Sequence, residues 1–192
     1  MLRKDIKTMT KNQAKFTTIR LTITALFMAM TIAMSSFGIP VPGGHLYLCD
    51  VVICTAAILL NPVEAFIVGG IGSFLGDMIF YPLPMFVSLV THGVQALVIS
   101  IFAHYILKKH PKISSGIGVA IGVIIMVAGY TFGKAFIYST VEAAILKLPY
   151  EFAQGILGAV VGMLLVYRCG LKKVFNNIVG KREDTIHSLN QN

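Results

Sequence analysis

Residues 85–112 read MFVSLVTHGVQALVISIFAHYILKKHPK. Between Met85 and Leu107 there is no Asp, Glu, Lys or Arg, and Lys108, Lys109, His110, Pro111 and Lys112 then close the run. As a helix rising 1.5 Å per residue the run is about 34 Å long, enough to cross a hydrocarbon core of about 30 Å. Pro82 and Pro84 stand before it and Pro111 after it, residues that do not continue a helix.

The same pattern extends in both directions. A first span is expected over Thr18–Phe37, ended by Gly38, Pro40, Pro42, Gly43 and Gly44, with a loop from His45 to Cys49. Residues 50–60 are apolar but cover only about 17 Å, so this loop is expected to dip toward the membrane, or the helix to start near Tyr47. Asn61 as N-cap, Pro62 at the first position and Glu64 at the third start a span that reaches Phe80. A fifth span covers Ser115–Tyr138. Ser139–Leu148 follows as a segment outside the span, and Pro149 is expected to open the last span, to Tyr167. The expected fold is an all-α membrane protein, a six-transmembrane-helix bundle with cytoplasmic N- and C-termini. Its parts are a basic segment 1–17, a substrate-binding domain 18–168 and a basic cytoplasmic tail 169–192.

Composition agrees. The chain is 56% hydrophobic and 12% charged, too little charge to clothe a water-soluble surface. Its net charge of +8 does not indicate nucleic acid. The basic residues fall in three blocks, from Arg3 to Arg20, from Lys108 to Lys112 and from Arg168 to Arg182; only Lys134 and Lys147 lie elsewhere. With six helices these blocks share one side, which the positive-inside rule makes cytoplasmic. No cleavable signal is expected, because the first apolar stretch reads as a span. Cys49, Cys54 and Cys169 form neither a disulfide framework nor a zinc pattern. No metal or cofactor is expected.

Small residues mark where helices touch: Gly69 with Ser73, Gly72 with Gly76, Gly118 with Gly122, Gly129 with Gly133, and Gly158 with Gly162. Ala25, Ala29 and Ala33 make a smooth stripe on a first helix that carries almost no polar side chain inward, a face suited to a partner protein.

Ionisable groups are costly in a bilayer, and here they gather toward the outer end. Asp50, Asp77, Ser88, His92, Gln95, Tyr130, Lys134, Tyr138, Glu151 and Gln154 come from five helices, whose inner halves are nearly all apolar. Each has a plain structural alternative. Asp50 caps its helix, Asp77 pairs with Lys134 or fixes a turn, His92 is a satisfied core histidine, Lys134 snorkels, and Glu151 is an early-helix acid. Together they suggest a cup for a small, polar, ring-shaped ligand. No phosphate-binding loop occurs, so ATP hydrolysis is not expected of this chain. A serine protease reading of Gly72-Ser73-Phe74 lacks the following glycine and a placed base.

The order of blocks resembles a known family. These are Gly43-Gly44-His45-Leu46-Tyr47-Leu48-Cys49-Asp50, then Asn61-Pro62, Gly69-Gly70-Ile71-Gly72-Ser73, Asp77 and Tyr81-Pro82. Over residues 18–168 the chain is similar to the S component, the substrate-binding subunit, of energy-coupling-factor (ECF) vitamin transporters, in the hydroxymethylpyrimidine/pyridoxine-type branch. The resemblance implies a multi-pass protein of the bacterial plasma membrane that holds one vitamin near its outer surface. The first loop, with His45, Tyr47 and Asp50, closes over the ligand. Ala25, Ala29 and Ala33 dock on a membrane T component, and two cytoplasmic ABC-type ATPases supply the energy. Hydroxymethylpyrimidine or pyridoxine suits the polar set best. Pantothenate, riboflavin and a standalone secondary transporter remain alternatives.

Overall fold

The computed structural model describes residues 18–179. The expected segment 1–17 and the tail beyond residue 179 lie outside the described residues. The elements are α1 (Thr18–Ser35), β1 (Gly38–Val41), β2 (Gly44–Tyr47), α2 (Cys49–Leu59), α3 (Pro62–Phe80), α4 (Met85–His104), α5 (Pro111–Tyr138) and α6 (Val141–Tyr167). Residues 171–179 are helical as well. The molecule is an all-α membrane protein. All the labelled helices except α2 are long and apolar enough to cross a bilayer.

The short helix is the core. Every residue of α2 except Val51 is buried. A helix that is apolar all round belongs inside the bundle. Ile53, Cys54, Ala57 and Ile58 pack with Ala96, Ile99, Val119 and Val166 of the surrounding helices. The glycine spacing of α6 serves this contact: a Cβ on Gly158 would stand 2.6 Å from Asp50 Cβ, and one on Gly162 3.0 Å from Cys54 Cβ. Leu26, Val90, Ile124, Phe136 and Ile156 remain exposed on the outside, as residues in contact with hydrocarbon do.

Helix starts follow local chemistry. Asn61 accepts from Glu64 N–H at 3.0 Å, and the Glu64 carboxylate accepts from Asn61 N–H at 3.2 Å, a closed capping box ahead of α3. The same carboxylate is fully buried and takes two hydrogen bonds from the Arg20 guanidinium, at 2.8 and 2.7 Å, so α1 is bolted to α3 at this end.

Three features differ from the sequence reading. The loop after α1 is an antiparallel hairpin, β1 with β2, turning at Pro42 and Gly43. Gly43 has φ +81, the value that a type II turn demands at its third residue. Helix α6 does not start at Pro149 but eight residues earlier, after Thr140, whose side chain accepts from Ala143 N–H. Pro149 lies inside it on the exposed side, and the ion pair of Lys147 with Glu151 spans the position where the proline removes an N–H. Helices α3 and α5 each contain one π-helical turn, Ile67–Ile71 and Lys134–Tyr138.

Candidate functional site

The hairpin covers a cavity at one end of the bundle. Its backbone approaches α6 so closely that a Cβ on Gly43 would meet Ala143 O at 2.9 Å and Lys147 N at 3.1 Å. Beneath it the side chains close around a small cavity of about 20 Å³.

Three polar chains form the walls. In the first, Gln154 Oε1 accepts from Tyr47 N–H at 2.9 Å, and Gln154 Nε2 donates to Asp50 Oδ2 at 2.6 Å. Gln95 Nε2 donates to Asp50 Oδ1 at 3.0 Å, and Gln95 Oε1 lies 2.6 Å from His92 Nδ1. An amide oxygen only accepts, so His92 carries a proton on Nδ1. In the second, Ser88 donates its one hydroxyl hydrogen to Asp77, so Tyr130 donates to Ser88 Oγ at 2.5 Å. In the third, Lys147 Nζ lies 2.9 Å from Glu151 Oε1 and 5.6 Å from the centre of the Tyr130 ring. Lys134 Nζ lies 5.5 Å from the centre of the Tyr138 ring. Lys134 is 5% exposed and in no ion pair among the described residues. On the hairpin, burial and the nearby Asp77 push the Tyr47 phenol up, so it stays neutral.

Among the buried atoms of the lining, His45 Nδ1 and Ser73 Oγ have no hydrogen-bond partner, and Glu151 has Lys147 on Oε1 while its Oε2 accepts no hydrogen bond. The charges balance, with Asp77 and Glu151 against Lys134 and Lys147. Tyr47, Tyr81, Tyr130 and Tyr138 add four phenols. Such a lining is suited to an aromatic ligand carrying both donors and acceptors.

Of the expected substrate-binding residues, Asp77, His92, Tyr130, Lys134, Tyr138, Glu151 and Gln154 line the cavity. Ser88 and Gln95 stand behind the lining and orient Asp77, Tyr130 and His92. Of the three loop residues, His45 and Tyr47 line the cavity from above. Asp50 does not: it is buried in α2, where two amides hold it. Sequence reasoning did not place Ser35, Gly44, Cys49, Ser73, Tyr81, Pro84 or Lys147 there. For Lys147 a signal existed, its four-residue spacing from Glu151; Pro149 between them concealed it. Cys49, Asp50 and His92 bring ligand-type atoms within 4.8 Å of one another. Both Asp50 oxygens already accept amide hydrogens, so the cluster is explained as hydrogen-bonded structure.

Residues 15–173 match the family described as "ECF-type riboflavin transporter, S component". The chain belongs to the S components of energy-coupling-factor transporters. Two curated relatives agree in extent. One is the thiamine precursor transporter HmpT of Lactococcus lactis subsp. cremoris (strain MG1363), 30% identical over 151 residues, which cover 76% of this chain and 84% of HmpT. The other is an uncharacterized protein in the gap 3' region of Pyrococcus woesei, 28% identical over 141 residues, covering 72% of this chain and 93% of that protein. This S component is therefore a vitamin-capture subunit of a transporter in the plasma membrane, not an enzyme.

Proposed function

We propose that the cavity captures a single-ring vitamin precursor, hydroxymethylpyrimidine first and pyridoxine second, at the outer face of the membrane. The observation that carries this reading is the set of buried polar atoms without hydrogen-bond partners around one space, Glu151 Oε2, Ser73 Oγ and His45 Nδ1, beside Lys134, which is in no ion pair among the described residues. Each such group costs about 1–3 kcal/mol while unsatisfied. A ring with an amino group, ring nitrogens and a hydroxymethyl arm offers a donor to Glu151 and acceptors to Lys134 and Ser73. The name of HmpT supports the same chemistry. Riboflavin is the second reading, on the family's description.

The sidedness rests on charge. Among the described residues, the basic side chains at the hairpin end are Lys134 and Lys147, both buried, while Lys108, Lys109, Lys112 and Arg168 are exposed at the other end. The positive-inside rule puts that other end in the cytoplasm. Helix α1 buries only Thr24, Thr31 and Ser35, and Ala25, Ala29 and Ala33 are all exposed. That smooth open face suits close approach of a membrane T component, through which two ATPases drive delivery.

The test is calorimetric titration of purified protein with hydroxymethylpyrimidine, pyridoxine, riboflavin and pantothenate. Submicromolar binding of one pyrimidine or pyridine, weakened at least tenfold in Glu151→Gln and Lys134→Met, is expected. Binding of riboflavin alone moves the assignment to the second reading. Affinities unchanged in both variants refute the pocket.

A further inference from the structure

At the end away from the hairpin, an open groove runs between α5 and α6 on the outside of the bundle. Its apolar wall is made by Ala159, Val160, Met163 and Leu164, around about 450 Å³ of space. Val160 and Leu164 are 52% and 48% exposed, so the groove faces the lipid. A purely apolar groove there takes any hydrocarbon chain. The polar end makes this one different. Lys112, next to the first residue of α5, and Arg168, just past the end of α6, both line it and are both exposed.

Between them the groove holds Tyr167, whose hydroxyl lies 2.8 Å from Ser115 Oγ and donates to Pro111 O at 3.1 Å. These bonds clamp the ends of the two helices, so the cations are presented from a fixed frame. Lys172 adds a third positive charge, 5.4 Å from the centre of the Tyr167 ring. Among the described residues the ion pairs are Arg20 with Glu64, His92 with Asp50 and Lys147 with Glu151; none involves Lys112, Arg168 or Lys172. Cations gathered at the polar end of an apolar, lipid-facing groove complement a molecule with a negative head and a hydrocarbon tail.

We propose that this groove binds one anionic phospholipid, its phosphate between Lys112 and Arg168 and an acyl chain along Val160 and Leu164. The proposal requires only that the chain resides in a membrane and does not depend on which vitamin the cavity takes.

The test is native mass spectrometry of delipidated protein in detergent, titrated with phosphatidylglycerol or with phosphatidylcholine of the same chains. One phosphatidylglycerol is expected to bind at least tenfold more tightly than phosphatidylcholine. The double variant K112Q/R168Q is expected to lose about 30-fold in that affinity, from two headgroup cations. K108Q/K109Q removes the same charge from the adjacent exposed turn and is expected to change it less than threefold. Ala159→Phe fills the groove and is expected to abolish retention. Val160→Trp serves in its place if circular dichroism shows that the first variant has lost helix. Equal loss in K108Q/K109Q reduces the effect to surface charge and overturns the proposal. So does retention in K112Q/R168Q, or competition by glycerol phosphate at matched concentration, which indicates a phosphate site without a chain. A dimer abolished by Ala159→Phe assigns the groove to a second copy and overturns it as well.

Discussion

Replacing Gln154 by Met tests the core of the site. Met keeps the length of the side chain and removes both polar atoms. The Tyr47 N–H loses its acceptor at 2.9 Å, and Asp50 Oδ2 loses its donor at 2.6 Å. Loss of a hydrogen bond to a buried carboxylate costs about 1.5–3 kcal/mol, and loss of the bond to the hairpin backbone about 1 kcal/mol. Asp50 is only 1% exposed, so water does not replace the lost donor. The total is about 2.5–4 kcal/mol, read as a shift in equilibrium unfolding by titration with SDS in mixed micelles. Asp50→Asn in the same background partitions the loss. Because both changes break the same contact, the double variant should be less destabilised than the sum by about 1–2 kcal/mol. The hairpin tether goes too, so ligand affinity should fall about fivefold as the closed population shrinks. A Gln154→Met protein with wild-type stability, or strict additivity with Asp50→Asn, would refute the proposed wiring.

Three further outcomes follow from the packing. Gly158→Ala places a methyl group 2.6 Å from Asp50 Cβ and 2.9 Å from its carbonyl carbon, so it should lower stability by about 1–3 kcal/mol or more in the same unfolding assay. Glu64→Gln keeps the helix cap but replaces the carboxylate that takes two Arg20 hydrogen bonds by a neutral amide, for an expected loss of about 1.5–3 kcal/mol and little change in ligand affinity. Pro149→Ala restores an N–H inside α6 and should stabilise the protein by up to about 3 kcal/mol; destabilisation would mean that the proline is required where it stands.

The long elements were legible because each is a charge-free run bounded by prolines or basic residues, as Met85–Leu107 shows. Asn61, Pro62 and Glu64 predicted the start of α3 to the residue. The hairpin was hidden: Gly38, Pro40, Pro42, Gly43 and Gly44 read only as helix breakers. Its pairing depends on contact with α6, over 90 residues later in the chain. Pro149 was overvalued as a boundary, because Thr140 and the ion pair of Lys147 with Glu151 favour helix on both sides of it. In the site, ionisable residues within spans were visible one by one. What a single sequence does not display is which of them face the space and which support those that do. Ser88, Gln95 and Asp50 belong to the supporting group because their hydrogen-bonding capacity is spent on neighbours. Ser73 was missed because, in a glycine-rich run, a serine has the same look as a packing residue.

The π turn in α3 fixes the angular relation between its two buried acids. Thirteen positions separate Glu64 from Asp77, and an unbroken α-helix would set them about 220° apart around the axis. One extra residue accommodated in the wide turn Ile67–Ile71 brings this to about 120°. The segment between them therefore acts as a phase shifter, set by the number of residues rather than by their kind. Winding the same residues as ordinary α-helix would rotate Asp77 by about 100°, away from Ser88, with every side chain of the cavity still in the sequence, whereas removing one residue from the turn would leave its direction unchanged.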